Sequence, residues 1–262
     1  MFSNNKVKSN KIDLIYIEGT GDIVEALTRW HNQEDVLTET SRTFSGQVFD
    51  FCRKNELNTL AISSFNEKKS VKYENFRAHS KPKIILNGSF GYHLSQIIHG
   101  LRIIGTLIRY RPKYVHITNG TTHLFILAPL KLLNIKIFPQ FHNTFFAKGY
   151  PPKRIFQLLL LKLDAWFLTH IADAAICCSP EIQRQIIEIT NGKNCPIYLF
   201  SAQFYHKDFI DSKPIPLHSS KPFVVVFAGR IERNKGVYDI LEIARALKHD
   251  NVIFHICGGG LI

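Results

Sequence analysis

The chain is poor in cysteine, and its few cysteines form no CxxC pair. They are Cys52, Cys177, Cys178, Cys195 and Cys257. Paired CxxC spacings are typical of zinc sites and redox motifs, so the spacing here argues against metal ligation. Several of these cysteines lie in apolar runs that are typical of strands, which indicates free thiols buried in a reducing cytoplasm. The sequence therefore predicts no bound metal.

Long uninterrupted apolar segments are also missing. The first residues, MFSNNKVKSNK, are polar and basic with no apolar stretch behind them, so no secretory signal is predicted. The most apolar helical segment, 155–171, contains Lys162 and Asp164 and is shorter than the roughly 20 apolar residues of a bilayer span. We therefore expect a cytoplasmic protein without a transmembrane helix.

Acidic residues are scarce relative to basic ones, and the formal net charge of +12 implies anionic partners. Nucleic acid is not expected among them, because the lysines and arginines are spread along the chain and accompany no recognised reader motif. The basic N-terminal tail, with Lys6, Lys8 and Lys11, either contacts the anionic inner face of a membrane or is simply solvated. Contact would contribute about 1 kcal/mol per basic residue.

The order of segments predicts an α/β fold. Segments typical of strands and helices alternate from end to end, which is the pattern of a parallel sheet covered by helices. Residues 201–221 have little periodicity and contain Pro214 and Pro216, which is typical of an interdomain linker. We predict a Rossmann-like domain over 1–204, a linker over 205–221, and the start of a second Rossmann-like domain over 222–262.

The individual elements follow from apolar periodicity and from turn residues. Predicted strands are 12–17, 59–65, 83–86, 114–118, 135–141, 174–178 and 197–200 in the first domain, then 223–228 and 252–257. Predicted helices are 48–54, 93–110, 122–133 and 153–171, with further helices beginning at Ser179–Pro180 and at Gly236. The segment between the first strand and the first helix is predicted to be irregular.

The most informative segment is FVVVFAGRIERNKGVYDILEIARAL, residues 223–247. A buried strand ends at Gly229, Arg230 and Lys235 follow, and Gly236 opens an amphipathic helix. Two cations beside a helix N-terminus would act on one anion together with the free backbone N–H groups and the helix dipole. The alternative is that both cations are solvated loop charges.

The order GR, a gap, then KG between such a strand and such a helix resembles the donor-domain signature of family 4 glycosyltransferases. That resemblance implies the GT-B fold, with a complete N-terminal Rossmann-like domain and here a partial βαβ unit of the C-terminal one. It also implies that Arg230 and Lys235 bind the diphosphate of a nucleotide-sugar donor, with Gly229 and Gly236 at the same site. RPKYVHIT, IKIFPQFHNT and IADAAICCSPE extend a looser resemblance over the first domain.

Candidate site residues also occur in the first domain. His142 follows a predicted strand, at the edge where open α/β sheets bind ligands. The resemblance implies that His142 lies near the transferred sugar or the acceptor; otherwise it is a hydrogen-bonded structural residue. Gly46, in TFSGQ, is either an approach point of the acceptor loop or an ordinary helix entry. Gly19 and Gly21, in GTGD, raise the same question.

The function implied by the resemblance is transfer of a hexose from a nucleotide-diphosphate sugar to a glycan or lipid-linked acceptor. Arg230 and Lys235 would stabilise the departing diphosphate without a metal or other cofactor, and His142 would act at the catalytic site. The family's usual stereochemistry is retention of configuration. Two other functions stay open: a non-catalytic subunit that binds an acceptor or a membrane and recruits a donor-binding chain, and a GT-B epimerase acting on nucleotide sugars.

The resemblance also bears on the length of the chain. Relatives continue to a segment with two glutamates that hold the donor's sugar and ribose, and this sequence contains no such segment. A lone βαβ unit would leave a strand edge and apolar surface uncovered. We therefore expect a truncated fragment, or half of a split enzyme that a second polypeptide completes.

Overall fold

The computed structural model describes residues 11–34, 40–147, 150–200 and 222–259. The chain divides into two compact units, Met1–Phe204 and Tyr205–Ile262. The predicted linker, 205–221, lies outside the described residues, as do Lys6 and Lys8 of the N-terminal tail.

In its described residues, the first unit is built on one sheet of eight strands. The strands are β1 (Leu14–Ile17), β2 (Thr59–Ser63), β3 (Lys69–Tyr73), β4 (Phe76–Ser80), β5 (Tyr114–Thr118), β6 (Lys136–Phe141), β7 (Ala175–Cys177) and β8 (Ile197–Leu199). Their order is β3-β4-β2-β1-β5-β6-β7-β8. Every neighbouring pair is parallel except β3 with β4. This is the α/β architecture that the alternation of segments predicts.

Helices cover both faces of this sheet. They are α1 (Ile23–His31), α2 (Thr40–Lys54), α3 (Gly88–Tyr110), α4 (Ile155–His170) and α5 (Pro180–Ile189), with a 3-10 helix at Leu124–Leu133. Side chains of a strand alternate between faces, so Tyr16 of β1 packs with α1 and α2 while Ile15 and Ile17 pack with the other helices. All of β1 is therefore buried, as expected for a central parallel strand.

The sequence predicts some elements to the residue and others wrongly. The strand over 114–118 is confirmed, and Ser179 caps α5 by accepting the N–H of Ile182 at 3.4 Å, with Pro180 first in the helix. The predicted irregular segment contains α1, whose start is signalled by Asp22 accepting the N–H of Glu25 at 3.0 Å. The predicted helix over 122–133 is a 3-10 helix that contains Pro129.

The predicted strand over 83–86 is wrong. The Nζ of Lys83 donates to Oε1 of Gln96 at 2.6 Å and to the carbonyl of Thr121 at 3.1 Å, which ties this segment to α3 and to the loop after β5. The true strands, β3 and β4, form an edge hairpin with alternating polar residues and a much weaker apolar signal. The apolar run at 83–86 therefore does not mark a strand, and the strands of this region lie in the more polar segments before it.

The described part of the second unit, residues 222–259, is a single βαβ arrangement. Strands β9 (Phe223–Ala228) and β10 (Val252–Cys257) pair in parallel, as predicted, and α6 (Val237–Ala246) connects them after a 3-10 turn at Arg233–Lys235. The prediction that β9 is buried is wrong: Phe223, Val224 and Val226 are exposed, because the described part of this unit has only two strands and one helix to cover the apolar side chains. All five cysteines are free thiols. Cys52, Cys177 and Cys195 are buried, whereas Cys257 is exposed and departs from the expectation of burial. No helix in the described part of the chain is long and apolar enough to cross a membrane.

Candidate functional site

Polar side chains collect at the carboxyl edge of the first unit's sheet. Glu18 directly follows β1, Asn119 follows β5 and His142 follows β6. The carboxyl ends of these parallel strands lie side by side, because β5 pairs with both β1 and β6. In open α/β sheets this edge is where ligands bind. The fold therefore brings His142 to a ligand-binding edge together with two residues that the sequence does not single out.

Glu18 is a buried carboxylate held by two hydroxyls. Its Oε2 accepts hydrogen bonds from Tyr16 at 2.7 Å and from Ser45 of α2 at 2.6 Å. Burial, and next the charge of Glu18, raise the pKa of Tyr16 well above its ordinary value, so the phenol remains a donor. The only local signal in the sequence is an acid at the end of an apolar strand, and Ser45 is distant in the chain. This cluster therefore became visible only in the structure.

His142 is fixed by its backbone while its ring faces neighbouring aromatic groups. Its N–H donates to Oδ1 of Asn119 at 3.0 Å, and its carbonyl accepts the thiol of Cys178 at 3.3 Å. The ring meets Phe44 of α2 edge-on, with centroids 5.3 Å apart. Burial lowers the pKa of the His142 imidazole, so the ring is neutral near pH 7. Phe44 and Ser45 are consecutive residues of α2, so this helix contacts both the His142 ring and the Glu18 carboxylate.

The glycines predicted at this edge have ordinary surroundings. Gly46 lies within α2, which begins at Thr40, so the prediction of a helix starting at residue 48 is corrected. A Cβ at Gly46 would meet only the ring of Trp30, at 3.8 Å, so packing does not require glycine there. Gly19 also has room for a Cβ, and its carbonyl accepts the N–H of Ser64 at 2.8 Å. A direct role for Gly46 in acceptor binding stays a prediction.

A buried glutamine of α5 holds the loop that follows His142. Gln185 accepts the N–H of Phe145 at 2.8 Å and donates to the carbonyl of Phe146 at 2.9 Å. The Gln185 side chain is fully buried, and its amide supplies the hydrogen-bond partners of these two partly buried backbone groups. The geometry of the loop after β6 is therefore set by a residue some forty positions further along the chain.

Replacing Gln185 with leucine is expected to destabilise the protein by about 1 to 2 kcal/mol, the lower part of the range for backbone polar groups that lose their partners, because Phe145 and Phe146 are only partly buried. Urea unfolding of the purified chain measures this change. Gln185→Glu should recover only part of the loss, because a carboxylate accepts the N–H of Phe145 but cannot donate to the Phe146 carbonyl. Equal stability of wild type and the leucine variant would contradict the role of this amide.

A small cleft of about 50 Å³ opens at the ends of β1, β2 and β4. It is lined by Ile17, Glu18, Ile62, Ser63, His79, Lys81, His99, Arg102, Ile103 and Thr106. Burial, followed by the charges of Lys83 and Arg102, lowers the pKa of His99 to about 4. The cations exceed the acids in this lining, which suits an anionic group. None of these cleft residues is identified by the sequence, because they come from four separate segments.

Acidification is expected to destabilise the first unit before most carboxylates titrate. Burial lowers the pKa values of His99, His116 and His123 to about 4 each, below the ordinary histidine value of 6.5. Between these values the unfolded chain binds more protons than the folded one. The neutral rings therefore make their full contribution to the free energy of unfolding above pH 6.5, and this contribution is lost as the pH falls toward 4.

His116 is expected to reduce the free energy of unfolding by about 1 to 2 kcal/mol between pH 7 and pH 5, and His99 and His123, whose charges solvent would partly screen, by about 1 kcal/mol or less each. Urea titrations at a series of pH values measure how steeply the free energy of unfolding changes with pH. His99→Asn should make this dependence less steep. A free energy of unfolding that is constant over this range would show that these rings protonate in the folded state.

The second unit presents two cations at the mouth of its βαβ arrangement. Arg230 lies two residues beyond β9, and its Nη1 is 3.0 Å from Oε1 of Glu232. The Arg230 side chain is 66% exposed, so this ion pair is weak and open to competition. Lys235 is exposed and precedes Gly236, which adopts φ 77° and caps α6. Glycine adopts this left-handed conformation at less cost than residues with a Cβ.

Close backbone packing surrounds Gly229. Its N–H donates to the carbonyl of Cys257 at 3.0 Å, and the N–H of Ile231 donates to Gly259 at 3.1 Å. A Cβ placed on Gly258 would lie 1.8 Å from the carbonyl oxygen of Gly229. Gly258, rather than Gly229, is therefore the glycine that close approach requires here. The sequence shows a run of glycines after β10 but gives no indication of which one is constrained.

The sheet of the first unit defines a Rossmann-like α/β protein, with polar groups at the edge where such sheets bind ligands. A model of the glycosyltransferase family 4 matches residues 57–199, more than half of the chain, and the chain therefore belongs to glycosyltransferase family 4. The match includes His142 but not the GRIERNKG segment. No curated protein sequence matches the chain significantly.

Solved structures with a similar fold are GT-B glycosyltransferases. Sucrose-phosphate synthase from Thermosynechococcus elongatus has a TM-score of 0.63 at 14% identity, covering 95% of this chain and 63% of that one. Anabaena HepE, in complex with UDP and glucose, has a TM-score of 0.52 at 12% identity, covering 96% and 62%. The lipopolysaccharide outer core galactosyltransferase WaaB has a TM-score of 0.50 at 14% identity, covering 94% and 68%. The chain thus spans less than two thirds of the first two proteins.

Proposed function

We propose that the protein transfers a hexose from a nucleotide-diphosphate sugar to a glycan or lipid-linked acceptor, in polysaccharide or glycoconjugate synthesis. One observation carries the donor assignment. In a family 4 chain, Arg230 lies just beyond β9 and Lys235 just before α6, so two exposed cations occupy the mouth of a βαβ unit. The HepE structure contains UDP and glucose, and WaaB is a galactosyltransferase, which supports a nucleotide-linked hexose.

The proposed role of these cations is to stabilise the leaving group. When the anomeric bond breaks, negative charge develops on the nucleoside diphosphate, and cations fixed nearby stabilise that charge. Arg230 can bind two phosphate oxygens with its planar fork, and Lys235 supplies a point charge beside the N-terminus of α6. To do so, Arg230 gives up its exposed ion pair with Glu232, which is weak. No metal or other cofactor is invoked.

The acceptor is proposed to bind at the carboxyl edge of the first unit. The neutral ring of His142 offers one donor and one acceptor to a sugar hydroxyl. The cleft with Lys81 and Arg102 suits the phosphate of a lipid-linked acceptor. Gly46 adjoins Ser45 of the Glu18 cluster and is placed near the acceptor on that basis.

The test is sugar transfer by the purified chain with a panel of labelled UDP-, GDP-, ADP- and dTDP-hexoses and a mixture of glycan and polyprenyl-phosphate acceptors. We expect transfer from one donor, with retention at the anomeric carbon by NMR of the product and with an unchanged rate in EDTA. Transfer that depends on an added second polypeptide would support a split enzyme. Acceptor binding without donor binding or turnover would instead identify a non-catalytic subunit. Alteration of the donor sugar without acceptor would identify an epimerase.

A further inference from the structure

One side of α3 exposes large apolar side chains along its whole length. They are Phe90, Leu94, Ile97, Leu101 and Ile108. Their spacing of three, four or seven residues places them on one face of the helix. The opposite side of α3 packs in the core through Ile103 and Leu107. Phe90 is 81% exposed, so this stripe is not part of the folded core.

Helix α4 has the same construction. Ile155, Leu158, Leu159 and Trp166 are exposed at helical spacing, while Phe167 and Leu168 are buried. Ile155 is 87% exposed. A helix that is apolar on all sides is normally enclosed by protein or lipid. The sequence identifies this helix as the most apolar in the chain, and the fold leaves half of it uncovered.

The two exposed stripes adjoin at their N-terminal ends. The ring of His93 on α3 packs edge-on against Phe156 on α4, with centroids 4.8 Å apart. Ile85, which is 84% exposed, lies beside α3 because the N–H of the next residue, Leu86, donates to Oγ of Ser95 at 3.0 Å. We call the exposed residues of 85–108 and 153–166 the α3–α4 face. The apolar side chains of this face are grouped together, whereas exposed apolar residues on an ordinary protein surface are scattered singly.

The charge of this face has one sign. No aspartate or glutamate occurs between Glu74 and Asp164, whereas lysines and arginines recur through that whole stretch. Asp164 itself lies on the buried side of α4, where burial raises the pKa of its carboxyl to about 7. Lys153 and Arg154 are exposed beside Ile155, and Lys162 lies on the apolar stripe itself. The face is therefore apolar with basic residues and without an exposed acid of its own.

We propose that the α3–α4 face binds the surface of an anionic phospholipid bilayer. The apolar side chains would enter the headgroup boundary, and the long stems of Lys and Arg would let their charges reach lipid phosphates. A protein partner fits less well, because lysine is depleted in the centres of protein interfaces. A second copy of the chain would place these cations against like charges.

The orientation of the face links it to the candidate site. α3 begins after β4 and α4 after β6, so the N-terminal ends of both helices lie at the carboxyl edge that carries His142. Binding through this face would hold that edge near the bilayer. This link, though not membrane binding itself, rests on the proposed transfer to a lipid-linked acceptor.

The test is cosedimentation of the full chain with phosphatidylcholine vesicles, with and without phosphatidylglycerol. We expect binding to the anionic vesicles that weakens as salt is raised. The double variants Phe90→Ser/Ile155→Ser and Lys153→Glu/Arg154→Glu should each bind at least about tenfold more weakly, as loss of two apolar anchors or reversal of two charges predicts. Phe51→Ser and Lys54→Glu, exposed positions on α2 across the sheet, serve as matched controls and should bind normally.

Circular dichroism melting identifies any variant that fails to fold, and nucleotide-sugar binding should be unchanged in the face variants. If wild type binds vesicles but does not turn over any donor, the result would count against the proposed function and not against membrane binding. Vesicle binding that is the same in all variants, or equal on neutral and anionic vesicles, would overturn the proposal. The proposal would also be overturned if wild type did not bind vesicles but formed a concentration-dependent dimer that the face variants abolish.

Discussion

Replacing Arg230 with alanine is expected to lower the rate of sugar transfer by about two to three orders of magnitude. The loss corresponds to about 2.7 to 4 kcal/mol of transition-state stabilisation, the scale for removing one preorganised electrostatic group. Lys235→Ala should cause a similar loss, because the two residues act on the same developing charge. Steady-state kinetics with saturating donor measures kcat, and titration with the nucleoside diphosphate measures ground-state binding separately.

The second unit offers a matched control for these variants. Arg245 is an exposed cation in the last turn of α6, at the end of the helix away from Lys235. Arg245→Ala removes one positive charge from the same small unit and should leave the rate within about twofold of wild type, as is usual for surface substitutions. Arg230→Lys should recover only part of the rate, because lysine keeps the charge and loses the fork. Equal rates for wild type and Arg230→Ala would remove this residue from the mechanism.

Replacing Gly258 with alanine is expected to disrupt the second unit more than any surface change. The new Cβ would lie 1.8 Å from the carbonyl oxygen of Gly229, and two backbone segments would have to separate. We expect a loss of about 3 kcal/mol or more, the range of strongly destabilising substitutions. Because the displaced segment leads directly into Arg230, nucleoside-diphosphate binding should fall with it. Protease sensitivity of residues 222–259 and titration with the diphosphate measure the two effects.

The adjacent residue supplies the control. A Cβ on Gly259 would meet no atom within 4 Å, so Gly259→Ala should leave both protease resistance and diphosphate binding close to wild type. Similar behaviour of the two alanine variants would show that the glycine run matters only for flexibility. A stable Gly258→Ala chain that still loses diphosphate binding would indicate a local effect on Arg230 without unfolding.

Local chemistry made several elements predictable. Ser179 and Pro180 identify the start of α5 because a side-chain oxygen and a missing N–H suit the first turn of any helix. The β-branched run of β9 and the turn at Gly229 are similarly local, and both occur where expected. The hairpin of β3 and β4 was not predicted, because an edge strand with polar residues on alternate positions has little apolar signal.

The candidate site was predictable only where a residue directly follows a strong strand. His142 met that condition, since an apolar run ends at Phe141 and parallel strands present their carboxyl ends to one edge. Glu18 follows a strand in the same way, but its partners Tyr16 and Ser45 are brought together by α2 packing on β1. The family assignment was confirmed through residues 57–199, although the most specific resemblance lay beyond them.

By itself, the sequence determined the α/β class, the glycosyltransferase family and the order GR–KG, because periodicity, turn residues and a short motif are all properties of neighbouring residues. Only the tertiary structure decided that Glu18, Ser45 and His142 share one edge, that Gly258 is the constrained glycine, and that α3 and α4 expose one basic, apolar face. Such features depend on which distant segments pack together. A linear pattern does not specify that packing, since an apolar helix face reads the same whether protein, lipid or water covers it.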